Sequence, residues 1–199
     1  MKDNFEQIEK LLIFDSEDDF YHLQILKRKK ENPELGSNSY VVRTYCVRSK
    51  ESLMEKRNEI TEMCNTHNAR AYINLSPRSF EKMAFHTLKK ISDIIMNKDY
   101  KEVRKAFESV CGTYGNGKHK RWLIDIDWVD FEDKAIIATE IVPLLEKLQI
   151  ETGAEPLIEY IPTKNGTHII TRPFNSSTFQ YLHPKVDIHK NNPTILYMP

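Results

Sequence analysis

Two aspartates, Asp125 and Asp127, end the run WLIDID at 122–127. The apolar and β-branched residues predict a strand, in which residues i and i+2 face the same side. The two carboxylates therefore project together, while the apolar residues between and before them face a core. Like charges side by side are costly unless a cation lies between them. Hard oxygen donors at this spacing suit Mg²⁺ or Mn²⁺, which leave coordination positions for substrate phosphates. Acids merely solvated where a chain leaves its sheet show the same spacing, so the pair alone leaves both readings open. A second segment, Thr163-Lys164-Asn165-Gly166-Thr167-His168, is a small polar turn between two apolar strands. It can offer backbone N–H groups, a lysine and a histidine to a phosphate chain, or be an ordinary hairpin turn with an incidental histidine. A third acid, Asp187, follows Val186 and precedes the turn-forming Asn192-Pro193.

The order of these segments resembles the catalytic core of the archaeo-eukaryotic primase superfamily. These primase-polymerases include primase small subunits and the polymerase domain of bacterial end-joining ligases. The family's hydrophobic run ending in Asp-x-Asp, its small residue-x-His turn and its hydrophobic-Asp strand are matched by WLIDID (122–127), Gly166-Thr167-His168 and Val186-Asp187. TKNGTHII is similar to the family's Ser/Gly-Lys-Gly-x-His turn, with Thr163 where serine is often found. VDIHKNNPT is similar to the Asp strand and Asn turn of the ligase-associated branch, and RAYINLSPRS (70–79) loosely resembles a strand-Asn-Pro-Arg segment.

The resemblance covers 122–197 and implies a template-dependent nucleotidyltransferase of primase/polymerase type, adding nucleotides from NTP or dNTP to a nucleic-acid strand with two divalent cations. It implies that Asp125, Asp127 and Asp187 hold Mg²⁺ or Mn²⁺ and act as catalytic residues, and that His168 contacts the incoming triphosphate with Lys164, Thr163 and Arg172 as further nucleotide contacts. The implied partners are nucleoside triphosphates, a single-stranded or primed DNA template, and a replicative helicase or other replication protein. No zinc-binding insertion is present, so extension is better supported than autonomous priming. The alternative is a catalytically degenerate primase-like fold that binds nucleic acid or serves replication as an accessory.

Positioning these residues takes mixed elements. Phe5, Ile8, Leu11 and Leu12 predict a short helix over 4–14, and strands over 20–28 and 40–47 form a long-looped hairpin. An amphipathic helix over 50–66, capped by Ser49, precedes a strand over 69–75. Ser76-Pro77 is an N-cap and first-turn pair for a helix reaching about 97, with Phe80, Met83, Ala84, Ile91, Ile94 and Ile95 as its apolar stripe, and a short helix over 99–110 follows. Next come the strand at 122–127, a helix around 134–150, strands at 157–162 and 168–172, and a final extended pair near 185–197. The pattern is α+β without a βαβ repeat. It predicts one domain over 1–199, with an N-terminal α/β portion (1–115) and a motif-bearing portion (116–199). The resemblance implies a mixed β-sheet with flanking helices and an RRM-like half carrying the acidic motifs.

The chain has 199 residues, 40% of them hydrophobic, enough for a sizeable core. Lysine plus arginine and aspartate plus glutamate are both 29, giving zero net charge. That excludes a histone-like or polybasic protein, so nucleic-acid contacts must come from local patches such as KRKK at 27–30 or KHKR at 118–121. Cys46, Cys64 and Cys111 show no pairing that suits a disulfide framework or a structural zinc. A polar start and the absence of a long apolar run point to a soluble cytoplasmic protein without a membrane partner.

Three other motifs fall short. GTYGNGKH at 112–119 nearly satisfies a P-loop, but it ends in histidine and precedes a strand where a P-loop follows one. His168 to Thr171 imitates half of a 2H-phosphoesterase without a second copy. A DxD glycosyltransferase accounts for Asp125 and Asp127 but not for the Gly-His turn or Asp187.

Overall fold

The computed structural model describes residues 1–36, 39–115 and 119–199. The chain opens with β1 (Lys2–Asp3) and α1 (Phe5–Leu11), whose Phe5, Ile8 and Leu11 are buried as the spacing predicts. The antiparallel hairpin of β2 (Asp19–Lys27) and β3 (Tyr40–Val47) follows. The expected helix over 50–66 is divided at Lys56 into α2 (Lys50–Glu55) and α3 (Arg57–His67), and Ser49 exchanges reciprocal capping hydrogen bonds with Ser52. After β4 (Arg70–Ile73), residues Arg78–Ser79 form the short strand β5 against Asp19 and Phe20 of β2.

That pairing corrects the expected helix start at Ser76-Pro77. The backbone at 78–79 is spent on a strand bridge, so α4 (Phe80–Met96) begins later, with the Ser79 hydroxyl accepting from the Lys82 N–H. Its stripe is also narrower than expected. Met83 and Ile94 are buried, whereas Ile95 is exposed. A 3₁₀ turn leads into α5 (Ala106–Thr113). Asn116, Gly117 and Lys118 of the P-loop-like and basic segments lie outside the described residues.

The second half contains β6 (Trp122–Asp127), a π turn at Ile137–Ile141 running into α6 (Val142–Ile150), β7 (Glu159–Pro162), β8 (Gly166–Thr171), α7 (Ser176–Leu182), β9 (Asp187–His189) and β10 (Thr194–Met198). Helix α7, not anticipated from the sequence, is capped by the Asn175 side chain, which accepts from the Ser177 and Thr178 N–H groups. The expected terminal pair is two strands in different sheets: β9 joins β6, and β10 runs between β1 and β4.

The architecture is α+β, with two sheets ordered β1-β10-β4-β2-β3 (β5 on β2) and β7-β8-β6-β9. Every pairing among the described residues is antiparallel, which corrects the expected mixed sheet. The reason lies in the connections: from β6 to β9 the order is β-α-β-β-α-β, and each helix returns the chain parallel to its start but one position over, with another strand between. One core cluster spans both sheets, joining Leu123, Ile161 and Ile170 to Leu23, Ile25 and Ile73; a second lies between the other face of β6–β8 and helices α6 and α7. Asn4 ties the sheets by donating to the carbonyls of Pro162 and Ile195 at 3.0 Å each. No helix among the described residues is long and apolar enough to cross a membrane.

Candidate functional site

Side chains alternate along β6. Trp122, Ile124 and Ile126 enter the helix-facing core, while Leu123 packs toward the first sheet. Asp125 and Asp127 follow Leu123 on that second face as the packed core gives out, Asp125 half-buried and Asp127 exposed. The neighbouring strands complete the arrangement. Asp125 is opposite His168 on β8 and opposite Asp187 on β9, so residues from all three sequence segments occupy adjacent positions on one face.

Gly166 is required where β8 meets Asp127, since a Cβ there would overlap the Ile126 carbonyl oxygen and lie 3.0 Å from the Asp127 Cα. The turn before it closes through a hydrogen bond from the Thr163 N–H to the Gly166 carbonyl at 3.1 Å. Thr163 and Lys164 thus sit beside the Asp127 end of the site, and the exposed Lys164 reaches Glu31 at 3.8 Å. Lys30, Arg70 and Lys164 border a cavity of about 400 Å³ together with Glu31, which pairs with Arg70. Arg172 is placed differently. It follows the far end of β8, four residues beyond His168, or roughly 13 Å along an extended strand, and borders a separate cavity.

The electrostatics favour positive charge. Burial, reinforced by Asp187 and Asp130, pushes the Asp125 carboxyl above the ordinary carboxylate range, with His189 pulling the other way. Asp127 is raised as well, by burial and then by Asp125 and Asp130, opposed by His168 and Lys30. His168 is pushed down to about 4, first by burial and then by His189, with Asp127 opposing. A neutral ring carrying its proton on Nε2 suits its contacts, with Nε2 lying 3.5 Å from Asp125 Oδ1 and Nδ1 lying 2.8 Å from the hydroxyl of buried Thr194.

Carboxylate oxygens with raised affinity for a proton are a donor set that fits a hard divalent cation. The strands fix the backbone positions and the shared face. As the side chains stand, no three His, Cys, Asp or Glu groups among the described residues are drawn close enough to hold an ion.

Sequence reasoning missed Asp130, Lys30, His189 and Thr194 as members of this environment. His189 was accessible, being two residues beyond Asp187 on the same strand. Asp130 sits in the 3₁₀ turn Trp128–Asp130 and Thr194 belongs to the other sheet, so no spacing rule points to either. Arg78, whose segment carried the loosest part of the resemblance, is fully buried away from this face. It donates to the carbonyls of Cys111 at 2.6 Å, in the last turn of α5, and of Ser76 at 3.0 Å, a structural use of its charge. No protein-family model, curated protein or solved structure matches this chain.

Proposed function

We propose that this chain is a metal-dependent nucleotidyltransferase of primase/polymerase type, extending a nucleic-acid strand from nucleoside triphosphates. The observation that carries the reading is the register of the second sheet. Asp187 and His168 each stand directly opposite Asp125, with Asp127 two residues further along the same face. The β-α-β-β-α-β connectivity around them supports the RRM-like half that the sequence resemblance implies.

In this reading Asp125, Asp127 and Asp187 hold the divalent cations. Such ions, when bound, activate a 3′-hydroxyl and offset charge on the triphosphate. His168, neutral and oriented by Thr194, presents a ring N–H beside the carboxylates, where a phosphate oxygen can accept it. Lys164 and Lys30 add positive charge at the Asp127 end, the side on which a triphosphate needs it.

The test is primer extension by the full chain with Mg²⁺ and Mn²⁺ in parallel, comparing the wild type with Asp125→Asn. Metal-dependent extension that falls at least about 10²–10³-fold in the variant, without loss of melting temperature, is expected. Equal extension by the two proteins overturns the assignment of Asp125. Oligonucleotide binding without incorporation or nucleotide binding, under either metal, favours a nucleic-acid-binding accessory role.

A further inference from the structure

Arg121 and Arg172 form a second charged centre just beyond the ends of the same two strands. The last β6–β8 pair is Trp122 with Thr171, so these arginines occupy the next position beyond it. Arg121 is 8% exposed, its Nε and that of Arg172 are buried without a hydrogen-bond partner, and neither guanidinium has a carboxylate partner among the described residues. The buried Arg121 guanidinium, acted on by the Arg172 charge, is costly, because it loses water without gaining a counter-charge. Burial, and then the Arg172 charge, lowers the proton affinity of Arg121 accordingly.

The strand ends are held in place independently of any ligand. The Arg121 N–H donates to the buried Ser76 hydroxyl at 3.1 Å, and the Arg172 N–H donates to Oε1 of Gln149 at 2.8 Å. Gln149 is itself fully buried on α6, and its amide also donates to the carbonyls of Leu145 and Leu157. Such side-chain anchors fix where both arginines emerge. They border a cavity of about 350 Å³ with His119, Lys120 and Phe174, and no acidic residue among the described residues lines it. His119 in the lining has its Nε2 2.9 Å from the Asp15 carboxylate.

We propose that this cavity is an anion site that takes a backbone phosphate of a nucleic-acid strand. Paired guanidinium groups present N–H donors suited to phosphate oxygens, and Lys120 adds an exposed cation at the mouth. Arg121 lies four residues before Asp125, with Leu123 between them buried in the core shared with the first sheet, so the cavity opens at the opposite end of the strand pair from the carboxylates. The identity of the ligand as a strand rests on the proposed nucleotidyl transfer; the anion site itself rests on the unpaired arginines.

The test is binding of a labelled single-stranded DNA without terminal phosphates to the full chain, over a series of salt concentrations, with neither divalent cation nor nucleotide. Arg172→Gln and Lys120→Gln each remove one cation while leaving the backbone anchors in place. Each is expected to weaken binding severalfold and to reduce the slope of log K against log salt by roughly 0.7, the value for one phosphate contact on a single strand. Unchanged affinity and slope in both variants, with wild-type melting temperatures, overturns the proposal. A second arm adds inorganic phosphate alone. If phosphate raises the melting temperature of the wild type but not of Arg172→Gln, while DNA binding is the same in both, the site takes free phosphate and the assignment to a strand is overturned. Because metal and nucleotide are absent, the outcome is independent of whether strand extension is observed.

Discussion

The two ends of the β6–β8 pair differ in sign. At the Gly166 end, Asp125 and Asp127 share a face with Asp187 and His168; at the Thr171 end, Arg121 and Arg172 stand together. Leu123, Asp125 and Asp127 are successive residues on one side of β6, and Arg121 immediately precedes the strand. Only Leu123 and Ile170 in the middle are apolar, and they belong to the core shared with the first sheet. The contrast teaches that a partly buried charge beside a like charge is informative in either sign: the carboxylates are raised in proton affinity and the Arg121 guanidinium is lowered, so each end favours a counter-charge of its own kind.

Acid titration separates the ends most strongly. His168, at the carboxylate end, is held down to about 4 by burial. Its folded value lies below the unfolded one near 6.5, so the unfolded chain binds the extra proton first. Stability is therefore complete above about 6.5 and is lost as pH falls toward 4, by roughly 3 kcal/mol for such a shift. His22, buried in β2 beside Arg78 and also lowered to about 4, adds a loss of the same sign and window. Asp125 and Asp127 act oppositely, because their raised values make the folded protein the better proton binder as pH falls toward the carboxylate range. Urea unfolding from pH 7 to 4 is expected to show a continuous fall, retained in Asp125→Asn. Constant stability across that window would mean that the histidines are not desolvated.

A smaller effect probes packing. At the acidic end β8 approaches β6 so closely that a methyl group at Gly166 meets backbone, which cannot move aside as a side chain can. Gly166→Ala is expected to cost about 1–3 kcal/mol and to displace β8 from Asp127. The alanine variant should therefore lose both stability and any metal-dependent activity, while retaining salt-dependent DNA binding at the arginine end. Wild-type stability in Gly166→Ala would show that the two strands can separate there without penalty.

Much of this contrast was legible in the sequence. Alternation in WLIDID gave the shared face of Asp125 and Asp127, and Arg121 immediately precedes that run. The pairing of Asp125 with Asp187 was not legible from spacing, because β-register depends on which strands become neighbours, and residues 126–186, with two helices, lie between the two. The β5 bridge was hidden for a similar reason: local preferences favoured Ser76-Pro77 as a helix start, but the partner that holds Arg78–Ser79 extended is on β2. Thr194 falls in the expected extended pair near 185–197; its contact with His168 becomes visible only when β10 leaves its neighbour β9 and crosses to the other sheet.

Thr194 also supports the smallest expected effect, one confined to the acidic end. Its hydroxyl is 2.8 Å from Nδ1 of His168, and the residue is 1% exposed, so water does not readily replace the bond. Valine keeps the branched shape and removes the hydroxyl. Thr194→Val is expected to cost about 1 kcal/mol of stability, the usual scale for one hydrogen bond. With the donor gone, the neutral ring loses its partner at Nδ1 and protonation becomes easier, so the His168 titration midpoint should rise from about 4. Proton NMR of the His168 ring across the acid range measures this directly, and Thr194→Ser, which restores the hydroxyl, should return the midpoint toward the wild-type value. In the proposed nucleotidyl transfer, Thr194 acts through His168 as a positioning residue. A midpoint identical in wild type, valine and serine variants would show instead that burial alone sets the ring's charge and that the link between the two sheets at this point is packing without a functional hydrogen bond.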